Sequence, residues 1–266
     1  MSGPPAILRT VLLYRAMNRS ASKATTSLSV VVPVYNEAEN VEPLVAELHR
    51  VLTSIPGLLE FEIVYVDDGS NDDTPARLAE LRGDFPELRV VRHRTNYGQS
   101  AAIRSGVRAA QFPTIATLDG DGQNDPADVP RLLEAYLDGT AELVVGCRRV
   151  RRDLWMRRLS SRLANAVRSR LARDNTPDTG CGLKVFGRDA FLALPSFDHM
   201  HRFLPALFLR DGGRVVSMSV NHRPRTRGIS KYGLVNRFWV SVVDLLGVLW
   251  LQRRAMEPEI ILRDKH

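Results

Sequence analysis

From Leu28 to Gly146 the chain repeats one pattern: a short β-branched apolar run, a polar turn, then a segment with helical periodicity. Leu28 to Val34, Phe61 to Val66, Leu88 to Val91, Thr114 to Leu118 and Leu143 to Gly146 read as strands. Between them, Val41, Leu44, Val45, Leu48 and Leu52 fall on one helical face. Thr74 and Pro75 open a second helix, Ser100 to Ala110 form a third, and Asp128 to Leu137 a fourth. Apolar runs without polar alternation are strands buried on both faces, and strand–helix alternation with short links gives a mainly parallel sheet covered by helices. The first run is expected to break at Pro33, with Asn36 and Glu39 forming a capping box for the next helix.

Strand ends gather on one edge of such a sheet, where open α/β folds bind ligands. Four of these ends carry carboxylates or an Asn-x-Gly turn: Glu37, Asp67-Asp68, Asn96-Tyr97-Gly98 and Asp119-Gly120-Asp121. Topology alone therefore predicts that Glu37, Asp68, Asn96, Asp119 and Asp121 converge. Two carboxylates one residue apart can reach one divalent cation, with Gln123 adding a neutral oxygen; hard cations such as Mg²⁺ prefer this donor set and keep positions open for phosphate.

Net charge narrows the partners. Lys and Arg number 37 against 30 Asp and Glu, a balance of +7 that suits an anionic partner such as a nucleotide diphosphate or a phospholipid surface. The acidic strand ends argue against nucleic acid, whose phosphates they repel. The two cysteines, Cys147 and Cys181, lack metal-type spacing and fit a reducing compartment. Residues 1–27 contain no acid and read as a basic tail, with Met17 an alternative start. No stretch reaches the ~18 apolar residues of a spanning helix.

Four ordered motifs then carry a resemblance. Val32-Pro33-Val34-Tyr35-Asn36-Glu37, Val66-Asp67-Asp68-Gly69-Ser70, Asn96-x-Gly98 and Asp119-x-Asp121 are similar to the signature series of the inverting family 2 glycosyltransferases, across about Ser29 to Gly247. Gly146-Cys147-Arg148, Asp178-Thr179-Gly180-Cys181-Gly182-Leu183 and Arg225-Thr226-Arg227-Gly228-Ile229-Ser230-Lys231 resemble segments of dolichyl-phosphate mannose synthases and bacterial polyprenyl-phosphate glycosyltransferases. Cys147 and the Cys-Gly-Leu at 181–183 depart from the Ser and Ser-Gly-Phe of those relatives.

The resemblance implies a GT-A fold: a Rossmann-like, mixed, mainly parallel sheet flanked by helices. Residues 28–225 would form the catalytic domain, 226–256 an acceptor-side loop and amphipathic membrane helix, and 257–266 a tail. It implies a GDP- or UDP-linked sugar donor held by Pro33, Tyr35, Glu37, Val66, Asp68, Asn96, Gly98, Gly120 and Arg148. Asp119, Asp121 and Gln123 would hold Mg²⁺ or Mn²⁺ and the diphosphate. Arg225, Ser230 and Lys231 would hold the acceptor phosphate, with Asp119, Asp121, Arg225 and Lys231 as the catalytic set. The implied reaction is inverting transfer of a single sugar to a polyprenyl phosphate, for cell-envelope glycans or lipid glycosylation.

A lipid phosphate is already an anion and needs no general base, whereas a sugar hydroxyl does. Phe197-Asp198-His199-Met200-His201-Arg202-Phe203 departs from the acidic motif of hydroxyl-directed relatives; Asp198 is expected to cap the helix holding Leu204 and Leu207, with His201 on that helix's surface. The rival reading is transfer to a hydroxyl with Asp198 or Asp178 as base; a rival outside enzymes is a basic protein that binds anionic lipid or nucleic acid. Two segments suit an anionic membrane surface: the arginine-rich stretch Arg148 to Arg173, with Leu159, Leu163, Val167 and Leu171 four apart, and Phe238 to Leu251 with Trp239 and Trp250. They predict peripheral attachment to the cytoplasmic face, with an integral-membrane partner or a second copy of the chain as further candidates.

Overall fold

A computed structural model describes residues 26–148, 176–224 and 235–254, with side chains of the last segment described from Val243. Seven strands form one sheet in the order β3-β2-β1-β4-β6-β5-β7. They are β1 (Thr26–Val34), β2 (Leu58–Asp67), β3 (Leu88–Arg92), β4 (Thr114–Thr117), β5 (Leu143–Arg148), β6 (Lys184–Gly187) and β7 (Val215–Val220). The helices are α1 (Ala38–Thr53), α2 (Thr74–Leu81), α3 (Gln99–Ala109), α4 (Val129–Leu137), α5 (Arg188–Ala193), α6 (Leu204–Arg210) and α7 (Val235–Arg253).

β1 pairs in parallel with both β2 and β4, β2 with β3, and β5 with β7. β6 runs antiparallel to both its neighbours, β4 and β5. The expected strands therefore hold. β6 and β7, which the strand–helix alternation did not reveal, extend the sheet past the central strand.

Side chains of β1 alternate between two apolar layers. Leu28, Val30, Val32 and Val34 meet α1, α2 and α4 on one face. Val31 joins Val64, Val66 and the α3, α6 and α7 residues on the other. Each fully buried Val or Leu contributes about 1.5–3 kcal/mol by leaving water, so two such layers fix the register of the central strands.

Two local expectations are corrected. Pro33 does not break β1; it pairs with Val66 in a parallel ladder that continues to Val34. Asn36 does not cap α1, whose N-cap is Glu37 with no side-chain cap bond. Asn36 instead sits at φ 52, donates its amide to Ser70 Oγ and accepts the Asn71 amide on its Oδ1, each at 2.9 Å. Its side chain ties two strand-end loops together rather than starting a helix.

Candidate active site

The carboxyl ends of the parallel strands share one edge, and hydrogen bonds stitch their loops into a continuous rim. The β1 and β2 loops join through Asn36 and through the Glu37 amide, which donates to Thr74 Oγ1 at 2.9 Å. Glu37 Oε2 in turn accepts from Asn40 Nδ2 at 2.7 Å. Asp68 is the hub of the next junction. Its Oδ1 accepts the Tyr97 amide at 2.9 Å and meets His93 Nδ1 at 2.7 Å, while its Oδ2 accepts the Gly98 amide at 2.8 Å. Gly98 takes φ 89, a conformation that glycine adopts without strain, which turns both amides towards one carboxylate. Asp68 therefore shapes the 96–98 turn with most of its acceptor capacity.

One residue on, Gln99 Nε2 donates to Asp119 Oδ1 at 2.7 Å. A chain of direct contacts thus runs from Asp68 through Tyr97, Gly98 and Gln99 to Asp119. The backbone of Asp119 is anchored by Asn124 Oδ1, and Asp121 Oδ1 accepts the Gln123 amide at 3.1 Å. Gly120 packs against Val34 and the Pro33 carbonyl, so the loop follows β1 closely. On the loop's outer side, Gln123 and Arg223 exchange backbone and side-chain bonds, and Arg223 forks between Glu47 and Asp125.

The antiparallel strand completes the edge. Because β6 runs the opposite way, the residues preceding it, Cys181 to Leu183, arrive where the parallel strands end. Gly182 lies flat against the Asp119 carboxylate: a β-carbon there would stand 2.3–2.4 Å from all three carboxylate atoms. Thr117 Oγ1 holds the Gly182 carbonyl at 2.7 Å, and Lys184 Nζ donates to the Cys181 carbonyl. The Cys-Gly-Leu segment is thus a shelf beneath Asp119, and its glycine is the position with no room for change.

Electrostatics follow from this placement. Burial, and then the charge of Asp121, push the Asp119 carboxyl up to about 6; Lys184, Arg148 and the Gln99 bond pull against them. Burial lowers the Lys184 ammonium, although Asp119 and Asp178 favour its charge. Arg148 is gripped by Asp178 through Nε at 2.6 Å and Nη2 at 2.8 Å, a bidentate pair that holds the guanidinium charged. Burial drives the His201 imidazole well below its ordinary value, and its Nδ1 shares a 2.7 Å bond with Ser100 Oγ.

Several expectations change in detail. Val66 is fully buried against α3, so its side chain lines the core and not the cleft. His201 is a half-buried partner of α3 rather than a surface histidine. Asp198 does not cap α6, whose N-cap is Phe203; its Oδ1 accepts the His199 amide at 2.7 Å instead. Asp178 has both carboxylate oxygens on Arg148 and is poorly placed to take a proton. Tyr35 and Pro33 sit half-buried at the end of β1, and Asn96 is exposed on the turn beside Asp68. Arg225, Ser230, Lys231 and the arginine-rich stretch after Arg148 lie outside the described residues. Gln99, Gly182 and Lys184 were not anticipated. A lone lysine inside the apolar run Leu183 to Phe186 is a sequence signal of a buried charge.

A divalent cation fits the acidic pair. The mutual repulsion that raises Asp119 is what a cation between two carboxylates relieves, and Asp119, Asp121 and Gln123 offer oxygen donors only. Among the described residues no three His, Cys, Asp or Glu side chains gather to hold a metal, so a cation here would take its remaining ligands from phosphate oxygens and water.

Comparison with known proteins shows the family and the fold. The chain is 36% identical over 235 residues to a dodecaprenyl-phosphate galacturonate synthase of Rhizobium johnstonii, covering 87% of this chain and 69% of that protein. It is 34% identical to an undecaprenyl-phosphate 4-deoxy-4-formamido-L-arabinose transferase of Aeromonas hydrophila, covering 79% of this chain and 64% of that protein. The fold is shared with glucosyl-3-phosphoglycerate synthase from Mycobacterium tuberculosis, solved with Mn²⁺, UDP and glucosyl-3-phosphoglycerate, at a TM-score of 0.65 and 18% identity over 85% of this chain and 80% of that one. Residues 29–194 match the model of glycosyl transferase family 2, and with these relatives the chain belongs to that family.

Proposed function

We propose that this glycosyltransferase moves one sugar from a UDP- or GDP-linked donor to a polyprenyl phosphate, with inversion at the anomeric carbon. The observation that carries the reading is the unbroken run of bonds from Asp68 to Asp119, which ties the carboxylate expected to meet the nucleoside to the acidic pair. The activities of the two relatives, both directed to prenyl phosphates, support the acceptor class.

Asp119, Asp121 and Gln123 would hold Mg²⁺ or Mn²⁺, which when bound would supply positive charge opposite the departing nucleoside diphosphate. Gln99 and the Gly182 shelf keep one Asp119 oxygen occupied and the carboxylate aimed. Arg148, fixed by Asp178, contributes a permanent positive charge beside the acidic pair. The attacking oxygen belongs to the lipid phosphate, with Arg225, Ser230 and Lys231 as its holders.

The membrane is met through α7. Val243, Leu246 and Trp250 recur on one face and are 66, 61 and 61% exposed, with Arg253 and Arg254 following. An apolar stripe flanked by cations suits an anionic bilayer surface. No helix among the described residues is long and apolar enough to cross a membrane. On this reading the protein works on the cytoplasmic face.

A second reading, transfer to a hydroxyl, draws on Asp198, which is 67% exposed at the rim near Gly98. The two part on acceptor and pH. Purified enzyme is screened with UDP- and GDP-sugars, undecaprenyl phosphate and Mg²⁺ or Mn²⁺, and lipid-linked sugar is read out. Product with the lipid phosphate, lost by at least about 10³-fold in Asp121→Ala at unchanged melting temperature, is expected. Full activity of Asp121→Ala would remove the metal assignment, and transfer only to hydroxyl acceptors with an acid-limited rate would favour the second reading.

A further inference from the structure

Between α5 and α6 the chain passes along the rim of the cleft, and one residue there is held in an uncommon conformation. His199 has φ 61 and ψ 7, a left-handed backbone that a non-glycine residue keeps only when its surroundings impose it. Its neighbours anchor the segment inward. Met200 and Phe203 are buried in the second apolar layer, and His201 is bonded to Ser100 of α3. The His199 ring reaches the other way, to α7: Nδ1 lies 3.0 Å from Asp244 Oδ2, and Nε2 lies 3.6 Å from Asp198 Oδ2. Asp198 Oδ1 in turn stands where a β-carbon on Gly98 would be 3.6 Å away.

Among the described residues, Asp244 has His199 as its charge partner. Its side chain is 17% exposed, and its Oδ2 is buried with no hydrogen bond among the described residues. A buried carboxylate oxygen is costly unless charge or a donor lies against it, and the imidazole is the group that does. Asp244 also marks the seam of α7. Val243 and Leu246 beside it face outward, while Val248 is buried and the Leu251 carbonyl is held by Arg210 Nε at 3.0 Å.

We propose that His199 and Asp244 are positioning residues: seated against α7, the imidazole fixes Asp198 and the 198–202 segment beside the Gly98 turn, so that α7 and the cleft rim move as one unit. Without its seat the His199 backbone relaxes out of the left-handed region and carries Asp198 away from the turn. The bonds of Asp68, Gln99 and Asp119 do not pass through this pair, so the donor side stays formed when it is broken.

The test uses the full chain with His199→Gln, Asp244→Asn and the double variant. Hydrogen–deuterium exchange at residues 197–203 is expected to speed up about tenfold in each single variant at an unchanged melting temperature. The double variant should be no faster than either single one, because both break the same link. His199→Gly separates ring from backbone, since glycine takes φ 61 freely; exchange as slow as wild type there would mean that the ring fixes nothing. Unchanged exchange in Asp244→Asn, or additive effects, would likewise overturn the proposal. A kinetic arm rests on the transferase reading: the KM for undecaprenyl phosphate should rise about fivefold with the donor KM within about twofold. Equal rises in both would sink the separation of rim from donor side. A wild-type chain making no lipid-linked sugar would strike at the transferase reading alone, and the exchange data would still decide the fate of the pair.

Discussion

The two halves of the sheet are built by different rules. In β3-β2-β1-β4 each strand is followed by a helix, every pairing is parallel, and each site residue comes from the loop after its own strand. In β6-β5-β7 one strand is reversed, and the site residues come from the end of β5, from the start of β6 and the segment before it, and from the segment after β7. The first half supplies the carboxylates. The second supplies what holds them: the Gly182 shelf, the Lys184 and Arg148 charges, and the Arg223 clasp. Acid placement is thus local in sequence, while acid support is long-range.

Truncating the reversed strand tests that division most severely. Phe186 on β6 is fully buried and stacks on Phe191 at a centroid distance of 5.0 Å. Phe186→Ala is expected to cost about 3–5 kcal/mol in chemical denaturation. It should also remove activity, because the shelf leaves with the strand. If it destabilised the chain but spared transfer, the second half would not be the support claimed for it.

Next in size is Gly182→Ala. The added methyl meets the Asp119 carboxylate, so steady-state kinetics should show a loss of about 10²-fold in kcat, a barrier increase of about 2.7 kcal/mol. The melting temperature should move by only a few degrees. A fall confined to stability would assign Gly182 to packing instead.

A smaller effect has an opposite sign for stability and function. The folded chain holds the Asp119 proton up to about 6, above the ordinary value of 3.8. The unfolded chain therefore ionises first as pH rises, and keeping Asp119 charged costs folded-state stability above about pH 6. Asp119→Asn in the metal-free protein should melt about 2–5 °C higher than wild type at pH 8 and no higher at pH 3, while transfer is lost. Equal melting temperatures at pH 8 would mean that holding a charged Asp119 buried beside Asp121 costs the fold nothing.

The smallest effect belongs to the first half. The Tyr65 hydroxyl on β2 is buried without a hydrogen-bond partner among the described residues, and burial pushes its pKa up. Tyr65→Phe should leave activity unchanged and raise stability by up to about 1 kcal/mol in urea titration. A loss of activity would show that the parallel half carries more than acid placement.

Legibility in the sequence followed the same division. Five strands and four helices could be read from alternating runs, since each depends on neighbours within about thirty residues, whereas the meeting of the acids was an inference from sheet topology. β6 escaped because Lys184 to Gly187 is only four residues long and joins α5 directly, so no turn sets it off. β7 alternates weakly, with most of its residues half-buried. Asn36 was misread because a polar residue before a helix is ordinarily a cap, and here a neighbouring loop competes for its side chain. Gln99 and His201 acquire their partners only through folding, across 20 and 101 residues.

The reversed strand has one last consequence. Arg148 at the end of β5 and Asp178 ahead of β6 grip each other at two points, like a clasp on a necklace. The entropy cost of bringing two chain positions together rises only with the logarithm of the number of residues between them. The clasp therefore tolerates a change in that number at little expense to the frame that carries it.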